Sequence, residues 1–358
     1  MFTAAESSKT IPLDSQVGGH PGVLTSEDGS LLIKPAHPTE VAFYQSVIAD
    51  PGFAPLRPFV PKFYGTLRLE GKVDEGAAAA DDVGSIRVVE VTTEVEKESL
   101  VLENLSHTFV KPNILDIKLG TVLYGDDASP EKRARMEKTA RETTSLETGV
   151  RLTGFQVHDL ATGKAVNTPK AYGKSIKPAD LPEGIARFFP FSAAPDAPQE
   201  LTTEGESIAK AATGTGLPPN MLLPVLESMR EDVADIRAAL AQVHLRMVGG
   251  SLLIIYEADL ERMREGLKWL EEAQEEEDDE EDDEEEEEEE EDEEDDEKKR
   301  VGPPYLVKLI DFAHTKIGPG IGPDEGVLKG VDTVLRLLDG RIEQTKDVLA
   351  SKDATRTS

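Results

Sequence analysis

The sequence predicts an α+β protein of two lobes, on three observations. Strand-like, β-branched segments crowd the first hundred residues, long segments of helical periodicity fill the second half, and one block of carboxylates interrupts both patterns. The expected division is residues 1–105 as a β-rich first lobe and 106–358 as a larger second lobe. Residues 271–300 are read as a disordered acidic insertion within the second.

Glu27-Asp28-Gly29 reads as a turn, so Ser30 to Lys34 after it reads as a strand. A helix is expected over Thr39 to Ile48, where Thr39 can cap and Val41, Tyr44, Val47 and Ile48 recur at helical spacing. The stretch from Gly71 to Gly84 reads as a loop, and Ser85 to Thr93 (SIRVVEVTT) as a strand. Beyond Leu105 come an extended run near Ile114 to Leu119, a helix opening at Ser129-Pro130, and a strand over Val150 to His158. A short helix is expected near Pro182 to Phe189. A long amphipathic one is expected from Met221 to Met247, with Leu222, Val225, Met229, Val233, Ile236 and Leu240 in its stripe and Gly249-Gly250 stopping it. Ser251 to Tyr256 and Tyr305 to Ile310 read as strands, and Val327 to Leu349 as the last helix.

The formal charge of −32 comes largely from one place, because all 23 residues from Glu275 through Glu297 are acidic. Removing those 23 from the 71 acidic residues leaves 48 against 39 basic ones, an ordinary mildly acidic protein. Adjacent carboxylates repel one another and bury no apolar area, so the block is expected to stay solvated, as an insertion or as a docking surface for basic protein partners. With no cysteine, disulfides, thiolate nucleophiles and Cys-ligated metals are excluded. The first residues carry Glu6, Lys9 and Asp14 and read as no secretory signal, and no apolar run is long enough for a membrane span. The expected location is nucleus and cytoplasm, and no direct nucleic-acid binding is expected.

Three constellations carry chemistry. In the extended segment Pro112 to Gly120, residues two apart share a face, so Asp116 and Lys118 project together while Ile117 and Leu119 enter the core. A carboxylate beside an ammonium suits phosphoryl transfer, although the same spacing also describes a surface ion pair. The strand pattern Tyr305 to Ile310 ends in Asp311-Phe312, and an Asp there can hold a hard cation or merely cap a turn. His314, three residues on, is within reach of the same place. Lys34 closes an early strand and Glu40 opens the next helix, the order in which two-lobed kinases arrange their ATP site. A Walker-type loop is absent.

These residues resemble the inositol polyphosphate kinases. Pro112 to Gly120 matches the family's Pro-x-x-x-Asp-x-Lys-x-Gly signature at every fixed position. Gln16 to Gly22 (QVGGHPG), Glu103-Asn104-Leu105, Tyr172-Gly173-Lys174, Gly250 to Glu257 (GSLLIIYE), Ile310 to His314 (IDFAH) and Asp324-Glu325-Gly326 follow in family order. The acidic insertion before Tyr305 looks most like the fungal multikinase branch. The resemblance implies a protein-kinase-like, ATP-grasp-like fold using ATP and Mg²⁺. Lys34 would hold the α- and β-phosphates with Glu40 fixing it, and backbone groups of Glu103 and Leu105 would bind adenine. Asn104, where the family usually has Asp, would meet the ribose. Asp116 and Lys118 would be catalytic, Lys118 also touching substrate phosphate, and Asp311 would bind the metal with Ser251 in support.

An inositol phosphate is a dense polyanion, and the segment Ser129 to Arg141 is unusually basic for this chain: Lys132, Arg133, Arg135, Lys138 and Arg141. Lys132 and Arg135, with His314, are the expected substrate contacts, although a solvated helix face would look alike; Gln156 stands where the family often has a basic residue. The expected activity is phosphorylation of inositol 1,4,5-trisphosphate to tetrakis- and pentakisphosphate. The alternatives are a hexakisphosphate kinase, a trisphosphate 3-kinase, or a transcriptional scaffold acting through the acidic run.

Overall fold

Short strands from the first hundred residues pair into one five-stranded antiparallel sheet, and mostly longer strands from the rest pair into another. In this computed structural model the described residues are 10–12, 22–68, 98–192, 215–282 and 302–356. The first sheet comprises β1 (Thr10–Pro12), β2 (Leu24–Ser26), β3 (Leu31–Pro35), β4 (Phe63–Arg68) and β5 (Glu98–Glu103), with helix α1 (Pro38–Ser46) leaving β3. The strand read over Ser85 to Thr93, the loop before it and most of the Gln16 to Gly22 motif lie outside the described residues.

The chain continues through β6 (Pro112–Leu119), α2 (Pro130–Glu142), α3 (Ser145–Thr148), β7 (Val150–Asp159), β8 (Lys164–Thr168), α4 (Lys170–Ser175), α5 (Leu181–Phe188) and α6 (Pro219–Gln242). Then follow β9 (Leu245–Met247), β10 (Ser251–Glu257), α7 (Leu260–Asp282), β11 (Tyr305–Ile310), β12 (Thr315–Ile317) and α8 (Glu325–Arg356). The second sheet runs β11-β10-β6-β7-β8, and its central β6 is the Asp116 and Lys118 segment. Ile114, Leu115, Ile117 and Leu119 of β6 are all buried, the near-continuous apolar run expected of a strand covered on both faces. One apolar cluster joins Phe43, Phe53 and Leu100 of the first half to Leu115, Ile117, α6 and α8 of the second. Among the described residues no helix is long and apolar enough to cross a membrane.

Several boundaries differ from the sequence reading. The α1 cap is His37, whose side chain accepts from Thr39 N, with Pro38 opening the helix. Helix α6 stops at Gln242 rather than Met247, because Val243, Leu245 and Met247 are buried while His244 and Arg246 are exposed. That is a period of two, and β9 uses it to pair with β12. The acidic insertion begins as helix: α7 carries residues 271–282 onward from a packed start, where Met263 is buried and Leu267 and Leu270 lie against the core. Glutamate is a good helix former, so a helix nucleated by that apolar stripe runs on into the carboxylates. Residues 283–301 lie outside the described residues.

Candidate functional site

Strand register lines up the chemistry. Lys118 of β6 is paired with Ser251 of β10, and Ser251 with Ile310 of β11, so Asp311 follows one residue beyond that row. A cleft of about 820 Å³ opens between the two sheets, lined by Lys34, Glu40, Glu103, Asn104, Leu105, Asp116, Lys118, Asp311 and His314. A second cavity of about 660 Å³ lies among α6, α7 and α8, away from these residues.

Lys34 reaches across 277 residues of sequence to Asp311, Nζ to Oδ1 2.6 Å, and also meets Glu40 Oε1 at 3.0 Å. Burial alone would lower the Lys34 pKa, but Asp311 and Glu40 outweigh it and raise it. Asp311 has φ 66°, a left-handed conformation that costs a residue with a side chain energy and that clusters at functional sites. The next residue explains how it is held. Phe312 is 1% exposed and stacks on Phe43 of α1, centroids 4.2 Å apart and planes 2° from parallel. That stack ties the turn after β11 to the helix that carries Glu40, and Thr39 Oγ1 adds a hydrogen bond to Ala313 O.

Asp116 is buried, and its Oδ1 has no hydrogen-bond partner among the described residues. Burial raises its pKa, the Asp311 charge raises it further, and the nearby Thr153 and Ser251 hydroxyls and the Lys118 ammonium pull it back. Lys118 donates to Gly249 O at 2.7 Å. Its pKa is lowered, first by burial, with Asp116 and Asp311 opposing and Arg151 and Lys170 reinforcing. Ser251 Oγ is likewise buried and unpartnered. Orphaned buried oxygens are costly unless a ligand meets them. Asp311, Asp116 and Ser251 together offer the oxygen donors a hard divalent cation takes. Among the described residues no group of three or more His, Cys, Asp or Glu forms a metal cage. The donors thus suit a cation that arrives with phosphate oxygens and water completing its shell.

The connection between the sheets is polar on one side and apolar on the other. Asn104 Nδ2 donates to Gly29 O at 2.7 Å, while its Oδ1 accepts from Ser106 N and Ser106 Oγ at 3.2 and 3.0 Å. Both acceptor positions are occupied, leaving a single N–H for any ligand, which narrows the ribose contact expected of it. Leu105, Ile114 and Ile255 form a small cluster lining the same end of the cleft. The expected substrate contacts divide. His314 lines the cleft, its pKa lowered first by burial and then by Lys132, whereas Lys132 and Arg135 stand exposed on α2 outside the lining. Gln156 is buried and donates to Pro112 O, so it is spent on the sheet. Arg151, Lys170 and Lys174 also line the cleft, and of these the sequence singles out only Lys174, within Tyr172-Gly173-Lys174. The signal that finds Arg151 is its pairing with Lys118 across β6 and β7, which needs the register.

A family model for inositol polyphosphate kinase matches residues 99–339. The inositol polyphosphate multikinase of Saccharomyces cerevisiae is 33% identical over 365 residues, covering 90% of this chain and 96% of that relative. That of Schizosaccharomyces pombe is 33% identical, with 49% of this chain matched to 61% of its own length. Inositol hexakisphosphate kinase 1 of Rattus norvegicus is 27% identical over 67% of this chain and 51% of its own. A crystal structure of the S. cerevisiae inositol phosphate multikinase in complex with ADP and Mn²⁺ superposes with a TM-score of 0.55 at 27% identity, covering 87% of this chain and 98% of that one.

Proposed function

The chain belongs to the inositol polyphosphate kinase family, and from that premise we propose that it transfers the γ-phosphoryl group of ATP, with Mg²⁺, to hydroxyls of inositol 1,4,5-trisphosphate, giving tetrakis- and pentakisphosphates. The observation that carries this reading is the convergence of Lys34, Asp116, Lys118 and Asp311 on one cleft from β3, β6 and the turn after β11. The relative crystallised with ADP and Mn²⁺ supports a nucleotide and a divalent metal here, and the stronger match to multikinases than to the hexakisphosphate kinase supports the acceptor.

Each residue then has a task. The adenine lies against Leu105, Ile114 and Ile255, with the Glu103 and Leu105 backbone meeting its edge. Lys34, kept charged by its two carboxylates, binds the α- and β-phosphates. Asp311, with Ser251 in support, would hold Mg²⁺, which would supply neutralising charge to the phosphate oxygens. The acceptor hydroxyl loses its proton to Asp116, whose buried Oδ1 has no hydrogen-bond partner among the described residues and so is open to accept it. The hydroxyl oxygen bonds to the γ-phosphorus as the bridge oxygen departs with ADP, and Lys118 offsets the charge spread over the moving phosphoryl. His314, with Lys132 behind it, faces the acceptor's phosphates.

Purified protein with ATP, Mg²⁺ and a panel of inositol phosphates, hexakisphosphate included, resolved by anion exchange, tests both class and acceptor. Conversion of the trisphosphate is expected. Turnover of none of them rejects the enzyme reading, and preference for hexakisphosphate moves the chain to the sister activity.

A further inference from the structure

Ser129 is outside the lining of the cleft and carries none of the chemistry above, yet it sits at the cleft's mouth. The loop before it is tied to the strand after His314, where Asp126 Oδ2 meets Lys316 Nζ of β12 at 3.0 Å. Asp127 and Lys132, on either side of Ser129 in sequence, both act on the charge of His314, which lines the cleft. Ser129 itself is exposed and caps α2, accepting from Lys132 N at 3.2 Å. Pro130 keeps the residue before it out of the helical region. Ser129 accordingly has φ −60° and ψ 156°, the extended backbone in which a protein kinase takes up an acceptor serine. The chain holds two Ser/Thr-Pro pairs, Ser129-Pro130 and Thr168-Pro169. Thr168 is paired with Phe155 in the sheet and has Ala171 three residues on, whereas Ser129 has Lys132 there and Arg133 next. A proline directly after the serine and a lysine three residues on form the pattern that proline-directed protein kinases select. The Asp126 and Lys316 side chains are 92% and 64% exposed, so their ion pair contributes little to holding the loop, and the segment can enter another enzyme's cleft.

We infer that Ser129 is a phosphorylation site for a proline-directed protein kinase, and that phosphate there lowers the affinity of this protein for its inositol phosphate acceptor. The consequence, though not the site, rests on the inositol phosphate reading. The modifying kinase brings ATP: the bond from Ser129 Oγ to the γ-phosphorus forms as the bond to ADP breaks, and the hydroxyl proton passes to that kinase's catalytic carboxylate. The product carries a charge of about −1.5 to −2 at pH 7. At an N-cap this charge meets the backbone N–H groups and the dipole of α2, so the helix persists. The Glu131 carboxylate, which accepts from the Ser129 hydroxyl, is exposed and turns to water, while Lys132 is drawn to the new phosphate. Lys132 then no longer stands behind His314 for the acceptor, and the added charge repels the acceptor's phosphates at the mouth. Lys34 and Leu105, which meet the nucleotide in the proposed function, lie on other elements and keep their places.

Treating the full chain with a cyclin-dependent protein kinase and ATP, then mapping the product by mass spectrometry, reads the site. Equilibrium dialysis of inositol 1,4,5-trisphosphate against the treated chain, without nucleotide, reads its effect. Phosphate on Ser129 is expected, with trisphosphate affinity about tenfold weaker and ATP affinity within about twofold. Ser129→Asn keeps an N-cap and takes no phosphate, so its trisphosphate affinity is expected to be the same before and after treatment. No phosphate on Ser129 overturns the inference, as does phosphate there with unchanged trisphosphate affinity, or a Ser129→Asn protein weakened as much as the wild type. Turnover is measured in parallel to separate the two ideas. A wild type that binds the trisphosphate without phosphorylating it, and binds it more weakly once Ser129 is modified, rejects the reaction and supports the inference. An active protein whose Ser129 takes no phosphate rejects the inference alone, and a protein that binds no trisphosphate rejects both.

Discussion

Replacing Glu40 by Gln isolates the charge that sets Lys34. Gln keeps the size of the side chain and one acceptor oxygen, so α1, whose Phe43 and Tyr44 are buried, keeps its packing. What disappears is one of two carboxylates on the ammonium, at 3.0 Å, on a residue 4% exposed. The other, Asp311 at 2.6 Å, then holds Lys34 alone. A hydrogen bond between charged partners contributes about 1.5–3 kcal/mol, and each 1.4 kcal/mol is about tenfold. Lys34 drawn toward Asp311 is drawn away from the phosphates, so Glu40→Gln is expected to lower kcat/KM for ATP by about 10- to 100-fold. The KM for the inositol phosphate should move much less. Initial rates against each substrate in turn, with a thermal melt as a folding control, make the measurement. A folded Glu40→Gln protein whose kcat/KM for ATP stays within about twofold of wild type refutes the idea that this ion pair positions Lys34.

Asp311→Asn keeps a residue type that tolerates positive φ, so the protein should fold, and its turnover should fall by more than about a hundredfold by anion-exchange assay. Phe312→Ala empties the place stacked on Phe43 and is expected to cost about 3–5 kcal/mol in a urea titration, with nucleotide binding lost before the fold. Asp232 gives a pH signature: burial, opposed by the Tyr305 hydroxyl, raises its pKa from 3.8 to about 6. The folded protein therefore binds more protons than the unfolded chain between those values, so this group's contribution is fully present below 3.8 and lost as pH rises through about 6. Discounted for its partial exposure, the difference is about 1 kcal/mol, and Asp232→Asn should flatten that part of the urea stability curve between pH 4 and 7.

The strands β3, β6, β10 and β11 were legible because each is an apolar run bounded by turn chemistry. Asp116 and Lys118 were legible as a pair because two residues apart on a strand is a statement about faces. Helix α7 was not read, although Leu260, Met263, Leu267 and Leu270 carry helical spacing, because the carboxylates that follow dominate the composition of that region. Helix α6 was read too long because Val243, Leu245 and Met247 fit the tail of one stripe as well as the start of an alternation. Pairing of β9 with β12 decides between the two, and pairing is a long-range fact. Arg151 belongs to the same class. Alone it is one arginine in a strand, and only the register against Lys118 brings it into the cleft.

Phe312 shows why the chemistry and the core cannot be separated here. Asp311 sits in a backbone conformation that its own side chain does not favour, and Lys34 is a partly buried cation, so each alone would relax. The Phe312 ring, sealed against Phe43 and edge-on to Phe53 and Tyr44, pins the turn from below. Phe43 lies one helical turn after Glu40, so the same ring contact that holds Asp311 also fixes the second carboxylate on Lys34. Burial of those aromatic faces offsets the backbone strain and the gathering of charge. A substitution that loosens the aromatic stack must therefore disturb Lys34 and Asp311 together, whereas one at Glu40 disturbs Lys34 and leaves the Asp311 turn in place.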